Sequence, residues 1–175
     1  KANAIHTPNG STVTYKFPSR GSQPAVDVKW IEGPRLPKAP TGYDWDIKGN
    51  GGFIMVGEKG GISHDGMRPN SPRLYPKSRW EDYRKNANER VPKTLKRVPG
   101  IHNDWVNGIR NSEMTVSDFS YSGPLTESII LGTLAIRTGK GLEWNAKDMK
   151  ISGNKEAAAL IDVEARKGWR PSDLV

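Results

Sequence analysis

Apolar and polar residues alternate in two short runs near the start of the chain. Val13-Thr-Tyr-Lys-Phe17 and Ala25-Val-Asp-Val-Lys-Trp-Ile31 carry β-branched or aromatic side chains at alternate positions, the period of half-buried strands. Pro18 to Pro24, with Gly21 between, supplies a turn, so the two runs are expected to pair antiparallel. Phe53-Ile-Met-Val56 and Gly61-Ile-Ser-His64 flank Gly57-Glu-Lys-Gly60 and predict a hairpin whose glycines reach the positive φ of a tight turn. Leu142-Glu-Trp144 predicts a further strand.

Elsewhere the apolar period lengthens to that of a helix. Ser78 to Arg84 predicts a short helix, with Ser78 as its cap and Glu81 completing a capping box. Ile101, Trp105 and Ile109 recur every four residues with Val106 beside them, which predicts an amphipathic helix over 101–110. Asp104 sits in its first turn, and His102 projects onto the apolar side. The strongest helical run is 123–137, with Ser122 as cap, Pro124 in the first turn, and Arg137 then Gly139 at the end. Its Leu125, Ile129, Ile130 and Leu134 surround much of the circumference, so burial on two sides is expected, one of them against a subunit or domain. A terminal helix is expected from Lys155 to Lys167, after Asn154. This order predicts an α+β fold: one domain over 1–175, with an open, mainly antiparallel β-sheet and helices packed on one face.

A chain of 175 residues is long enough for one domain with a core. Its 19 glycines and 13 prolines, with a mean hydropathy of −0.69, mark it as loop-rich. The stretch between Gly33 and Gly52 has Tyr43, Trp45 and Ile47 as its bulky apolar anchors, and these favour a packed lid over a free linker. No apolar run approaches the ~18–20 residues of a membrane span. The absence of cysteine excludes a disulfide scaffold, a Cys-ligated metal and a thiol nucleophile, and leaves the redox compartment open. The chain opens at Lys1 with no charged-then-apolar leader, so a mature product or an excised piece is expected.

Of the net charge of +8, nearly all lies in residues 59–97, where eleven Lys/Arg meet four Asp/Glu. That stretch reads either as a solvated surface or as a lining for anions. No G-x-x-x-x-G-K-[ST] or G-x-S-x-G occurs, and Gly49-Asn-Gly51 is followed by Ile54 where a dinucleotide loop needs glycine. His6, His64 and His102 have no second histidine at helical ligand spacing. His64-Asp65 is expected to be a solvated turn pair, with acid–base work as the other reading. His102 is either a packed residue with one hydrogen bond or part of a ligand pocket. Arg73 is either a surface residue in a proline-bounded turn or a fork for a carboxylate or phosphate. Trp45, Trp80 and Trp105 belong either to the core or to platforms for sugar faces.

Six segments taken together carry a family likeness. They are Thr14-Tyr-Lys-Phe-Pro-Ser-Arg-Gly21, Val28-Lys-Trp30, Gly51-Gly-Phe-Ile-Met-Val-Gly-Glu-Lys-Gly60, Asn70-Ser-Pro-Arg-Leu-Tyr-Pro76, Tyr121-Ser-Gly-Pro-Leu-Thr-Glu127, and Leu134-Ala-Ile-Arg-Thr-Gly-Lys140 with Glu143-Trp144. In this order they resemble the C-terminal domain of bacterial Gfo/Idh/MocA oxidoreductases, in the long form common in Bacteroidetes and Planctomycetes.

The resemblance implies an enzyme with an N-terminal Rossmann domain binding NAD or NADP, and a C-terminal domain whose open sheet helps form a sugar or polyol pocket and an oligomer interface. With it, the candidate substrate-binding residues are His102, Arg73, Trp45 and Tyr121; by the resemblance His102 matches the histidine of a G-H-H-x-x-W pattern in which Ile101 replaces the first histidine. The Rossmann glycines, the E-K-P lysine segment and the D-x-x-x-H helix of the family are missing here, so no catalytic residue and no cofactor are expected on this chain by itself. The expected partners are the nucleotide domain, further copies of the chain and the substrate. Export to the periplasm follows from the same resemblance, with the cytoplasm as the alternative. A glycoside hydrolase of the same family and, on the basic stretch with Trp80 and Tyr83, a module for anionic polymers or nucleic acid are the rival readings.

Overall fold

In the computed structural model, residues 8–34, 37–45, 51–68, 71–86, 88, 90–161 and 165–173 are described. Their elements in chain order are β1 (Ser11–Phe17), β2 (Val26–Glu32), β3 (Gly52–Gly57), β4 (Gly60–Asp65), β5 (Arg73–Tyr75), α1 (Lys77–Lys85), α2 (Ile101–Asn111), α3 (Phe119–Thr138), β6 (Glu143–Asn145), β7 (Lys150–Ser152) and α4 (Lys155–Ala158). The chain divides into two compact units, Gly33–Arg97 and Lys1–Glu32 with Val98–Val175. The class is α+β and every strand pairing is antiparallel. The single open sheet is corrected: the described strands form three separate sheets, β1-β2, β3-β4-β5 and β6-β7. Proline and glycine between the runs end each ladder after two or three short strands.

In the unit of residues 1–32 and 98–175, alternation puts Val13, Tyr15 and Phe17 on the same side of the sheet as their partners Trp30, Val28 and Val26. Helix α3 packs against β1, and the fit is close at Gly132, where an added Cβ would lie 2.0 Å from the Tyr15 hydroxyl. Burial raises the Tyr15 phenol above its ordinary pKa, and the Glu32 carboxylate adds to the effect. The β2 half of that side stays open, with Trp30 45% exposed and Val26 and Val28 exposed beside it. Of α3, only Gly132 and Leu134 are buried, and Leu125, Ile129 and Ile130 face solvent. Among the described residues one side of α3 is covered, and the side that carries Leu125, Ile129 and Ile130 is the one left for a subunit or domain contact.

The helix starts also differ from expectation. Asp118, not Ser122, caps α3: its carboxylate accepts the Ser120 N–H at 2.8 Å, and Pro124 falls inside the helix. Ser78 lies within α1. That helix is capped from 33 residues upstream, by the Asp44 carboxylate accepting the Lys77 N–H at 2.8 and 3.0 Å. Asn154 does cap α4, accepting the Ala157 N–H, but the helix is one turn long. Leu160 and Ile161 bond three residues back, to Ala157 and Ala158, and this tightening ends it; residues 162–164 lie outside the described residues.

The unit of residues 33–97 is built on Tyr75, the largest fully buried side chain among the described residues, at 2% exposure. Its hydroxyl donates to the Met55 carbonyl at 3.1 Å, and its ring meets Tyr43 edge-on at 5.3 Å. Gly61 lets β4 pass against it: an added Cβ would lie 2.1 Å from the Met55 carbonyl oxygen and 2.3 Å from the ring. Residues 37–45 are thus anchored through Tyr43, as a packed segment, while Ile47 and Gly49 of the expected lid lie outside the described residues.

Two glycines of α3 are expected to respond differently to alanine. Gly132→Ala drives a Cβ into the Tyr15 ring and lowers stability by about 1–3 kcal/mol. At Gly123 the gain in helix propensity is offset by the crowding of a helical Cβ against the ring of Pro124, so Gly123→Ala changes stability by less than about 1 kcal/mol. Urea unfolding of the two variants reads the difference.

Candidate functional site

The apolar stripe of α2 points outward. Ile101, Trp105 and Ile109 are exposed, Trp105 at 63%, and the buried side of the helix carries Asp104, at 4%. The reason is local. Ser112 ends α2 in the left-handed conformation, and the chain turns back so that residues 113–116 lie against Gly108, whose Cβ would meet Thr115 at 2.8 Å. The Asp104 carboxylate accepts the Val116 N–H at 2.8 Å and fixes this return. Two residues later Asp118 starts α3.

Between the outward side of α2 and the start of α3 lies a cleft of about 450 Å³. Ile101, Trp105 and Phe119 give it apolar walls; His102, Asp104 and Asp118 give it an imidazole and two carboxylates, and Thr115 and Ser117 also line it. Hydrogen bonding from Ser120, side chain first and backbone N–H second, holds the Asp118 carboxyl below its ordinary pKa, so it is an anion and an acceptor at neutral pH. Aromatic faces beside fixed acceptors and hydroxyls suit a neutral ring that bears C–H on one face and hydroxyls at its edge. Among the described residues no group of three or more His, Asp or Glu is placed to hold a metal ion.

Of the sequence-predicted residues, His102 lines this cleft. Tyr121 lies in the first turn of α3, exposed, with its N–H on the Asp118 carbonyl, and does not line it. Trp45 and Arg73 come together in the other unit. The Trp45 indole N–H donates to the Leu74 carbonyl at 2.9 Å, the Arg73 guanidinium lies 4.7 Å from the indole ring centre and the Lys77 ammonium 5.1 Å from it. Trp80 is half-buried and stacks on Tyr83 at 5.9 Å, one turn along α1.

His64 is corrected. It is buried at 6%, stacks on Phe53 and contacts the Arg68 carbonyl through Nε2, while Asp65 is exposed. Its ring is covered by Phe53 and by the return of the chain at residues 66–68, which the His-Asp dipeptide alone does not indicate. With Gly52, Phe53, Gly66 and Met67 it lines a smaller cleft of about 190 Å³. Sequence reasoning missed Asp118, Phe119 and Lys77 as site residues. The signal for Asp118 was present: an Asp immediately before a helical run is a cap.

The sign of the Asp118 effect sets a pH dependence. A carboxyl held low in the folded state contributes stability that is present above its unfolded pKa and lost as pH falls through the folded one. Asp118→Ala is therefore expected to lower the thermal midpoint at pH 7 and to flatten its acid limb below pH 4, whereas Asp118→Asn keeps the cap and loses only the pH dependence. Thermal melts of the three proteins between pH 2 and 7 check this. Comparison of the chain with protein-family models, with curated proteins and with solved structures found no match.

Proposed function

We propose that the chain is the C-terminal substrate-binding and oligomerisation domain of a Gfo/Idh/MocA-type oxidoreductase acting on a sugar or polyol, with that family's C-terminal fold. The observation that carries this reading is the α2–α3 cleft, lined by His102 together with two aromatic side chains and two carboxylates. Trp105 and Phe119 are the aromatic side chains on which the C–H side of a ring would stack, and Asp118 is the acceptor for its hydroxyls. Thr115, Ser117 and His102 complete a polar edge that orients the ring. NAD or NADP, when bound by the nucleotide domain of such an enzyme, accepts hydride from the carbinol. This chain has no G-x-G-x-x-G, and none of its residues is assigned to the cofactor or to proton removal. Its part is to hold and aim the alcohol. The open β2 side of the first sheet supports the second half of the proposal, a contact with another copy.

Titration of the chain with myo-inositol and D-glucose, followed by calorimetry, tests the reading. One of them is expected to bind, and Trp105→Ala to weaken it by about tenfold, the equivalent of roughly 1.4 kcal/mol. Addition of NAD or NADP with either ligand is expected to give no reduced cofactor. Unchanged affinity in a folded Trp105→Ala protein, or turnover by the chain alone, contradicts the proposal.

A further inference from the structure

The basic surplus of residues 59–97 includes two cations that converge on Trp45. The indole is fixed at its N–H by the Leu74 carbonyl, so its position is set by the backbone of β5. Arg73 stands at the start of β5 and Lys77 at the start of α1, on either side of Tyr75-Pro76. Of the two acids that flank Trp45 in sequence, Asp44 has both oxygens on the Lys77 backbone N–H, and Asp46 lies outside the described residues. Among the described residues neither Arg73 nor Lys77 has a carboxylate within salt-bridge distance. A guanidinium held over an aromatic ring leaves its N–H edge for an oxyanion, and a neighbouring ammonium adds a second donor and charge.

We propose that Arg73 and Lys77, positioned by Trp45, form a binding site for the carboxylate or phosphate group of a small molecule. The site lies wholly within residues 33–97 and stands whether or not the α2–α3 cleft binds sugar. It gives the concentrated positive charge a specific role: the surplus draws anions in, and the Arg73 fork with the Lys77 ammonium selects the group.

The test follows the Trp45 indole N–H resonance, assigned with Trp45→Phe, during titration of the chain with D-glucuronate, D-glucose 6-phosphate and D-glucose at constant salt. A saturable shift with glucuronate is expected if the group is a carboxylate, and with glucose 6-phosphate if it is a phosphate; D-glucose is expected to give none. Replacing both cations, Arg73→Gln with Lys77→Gln, is expected to weaken binding by about tenfold or more. Arg73→Lys keeps the charge without the fork and is expected to give an intermediate loss, which preserves the test if the double variant does not fold. An equal response to D-glucose, no response to either anion, or unaltered binding in the folded variants overturns the proposal. So does salt-sensitive binding of a single-stranded oligonucleotide in the absence of any shift with the two small anions.

Discussion

A shortage of buried apolar surface governs this chain. Among the described residues the buried hydrophobic side chains are Tyr75, Leu134 and Ala157, while valines, leucines and tryptophans of β2, α2 and α3 face solvent. Folding must offset the entropy of ordering each residue, and apolar burial is the main term that does so. With so little of it, the units depend on polar pins at defined places. Tyr75 is tied to the Met55 carbonyl, Asp104 to the Val116 amide, Trp144 to Glu127, and Asn154 to Thr138 and the Ala157 amide. Each such bond contributes about 1 kcal/mol net, but leaving its buried partner unpaired costs more, so the pins fix geometry better than they add stability.

The same shortage shapes the candidate sites. A helix that buried Ile101 and Trp105 would have no cleft; here the Asp104 pin holds α2 with its stripe outward, and these two residues become one wall of it. In the unit of residues 33–97, Trp45 spends its N–H on the backbone and its ring on two cations, so an aromatic that could have entered a core instead organises charge at the surface. A site made this way is open to solvent, which favours polar ligands recognised by a few directed groups over apolar ones that need enclosure.

What the sequence revealed follows from which signals are local. Strands β1 to β4 were legible because alternation and turn glycines lie within the segment itself. Strand β5 was not: Arg73-Leu-Tyr75 is three residues between prolines, and pairing of Leu74 with Ile62 makes it a strand. The same holds for β7, which exists by pairing with β6. The Asp44 cap of α1 is 33 residues away and carries no local trace. Periodicity showed that α2 has an apolar side, but not that the described residues leave it uncovered. The place of His102 on that side left a packed residue and a pocket residue both open, and the structure puts it on the wall of the cleft; Lys77 was overlooked because its nearness to Trp45 depends on where residues 37–45 are brought.

Surface that a chain cannot bury itself is covered by another surface or stays wet, and the proposed oligomer assigns the first outcome to the open side of β1-β2. Sedimentation velocity over a hundredfold range of concentration tests this most directly, with Trp30→Lys as the comparison. The account predicts a defined, reversible oligomer that shifts to monomer in the variant while the melting profile of the monomer is kept. A wild-type chain that sediments as a monomer throughout, or an oligomer that Trp30→Lys leaves intact, would contradict it.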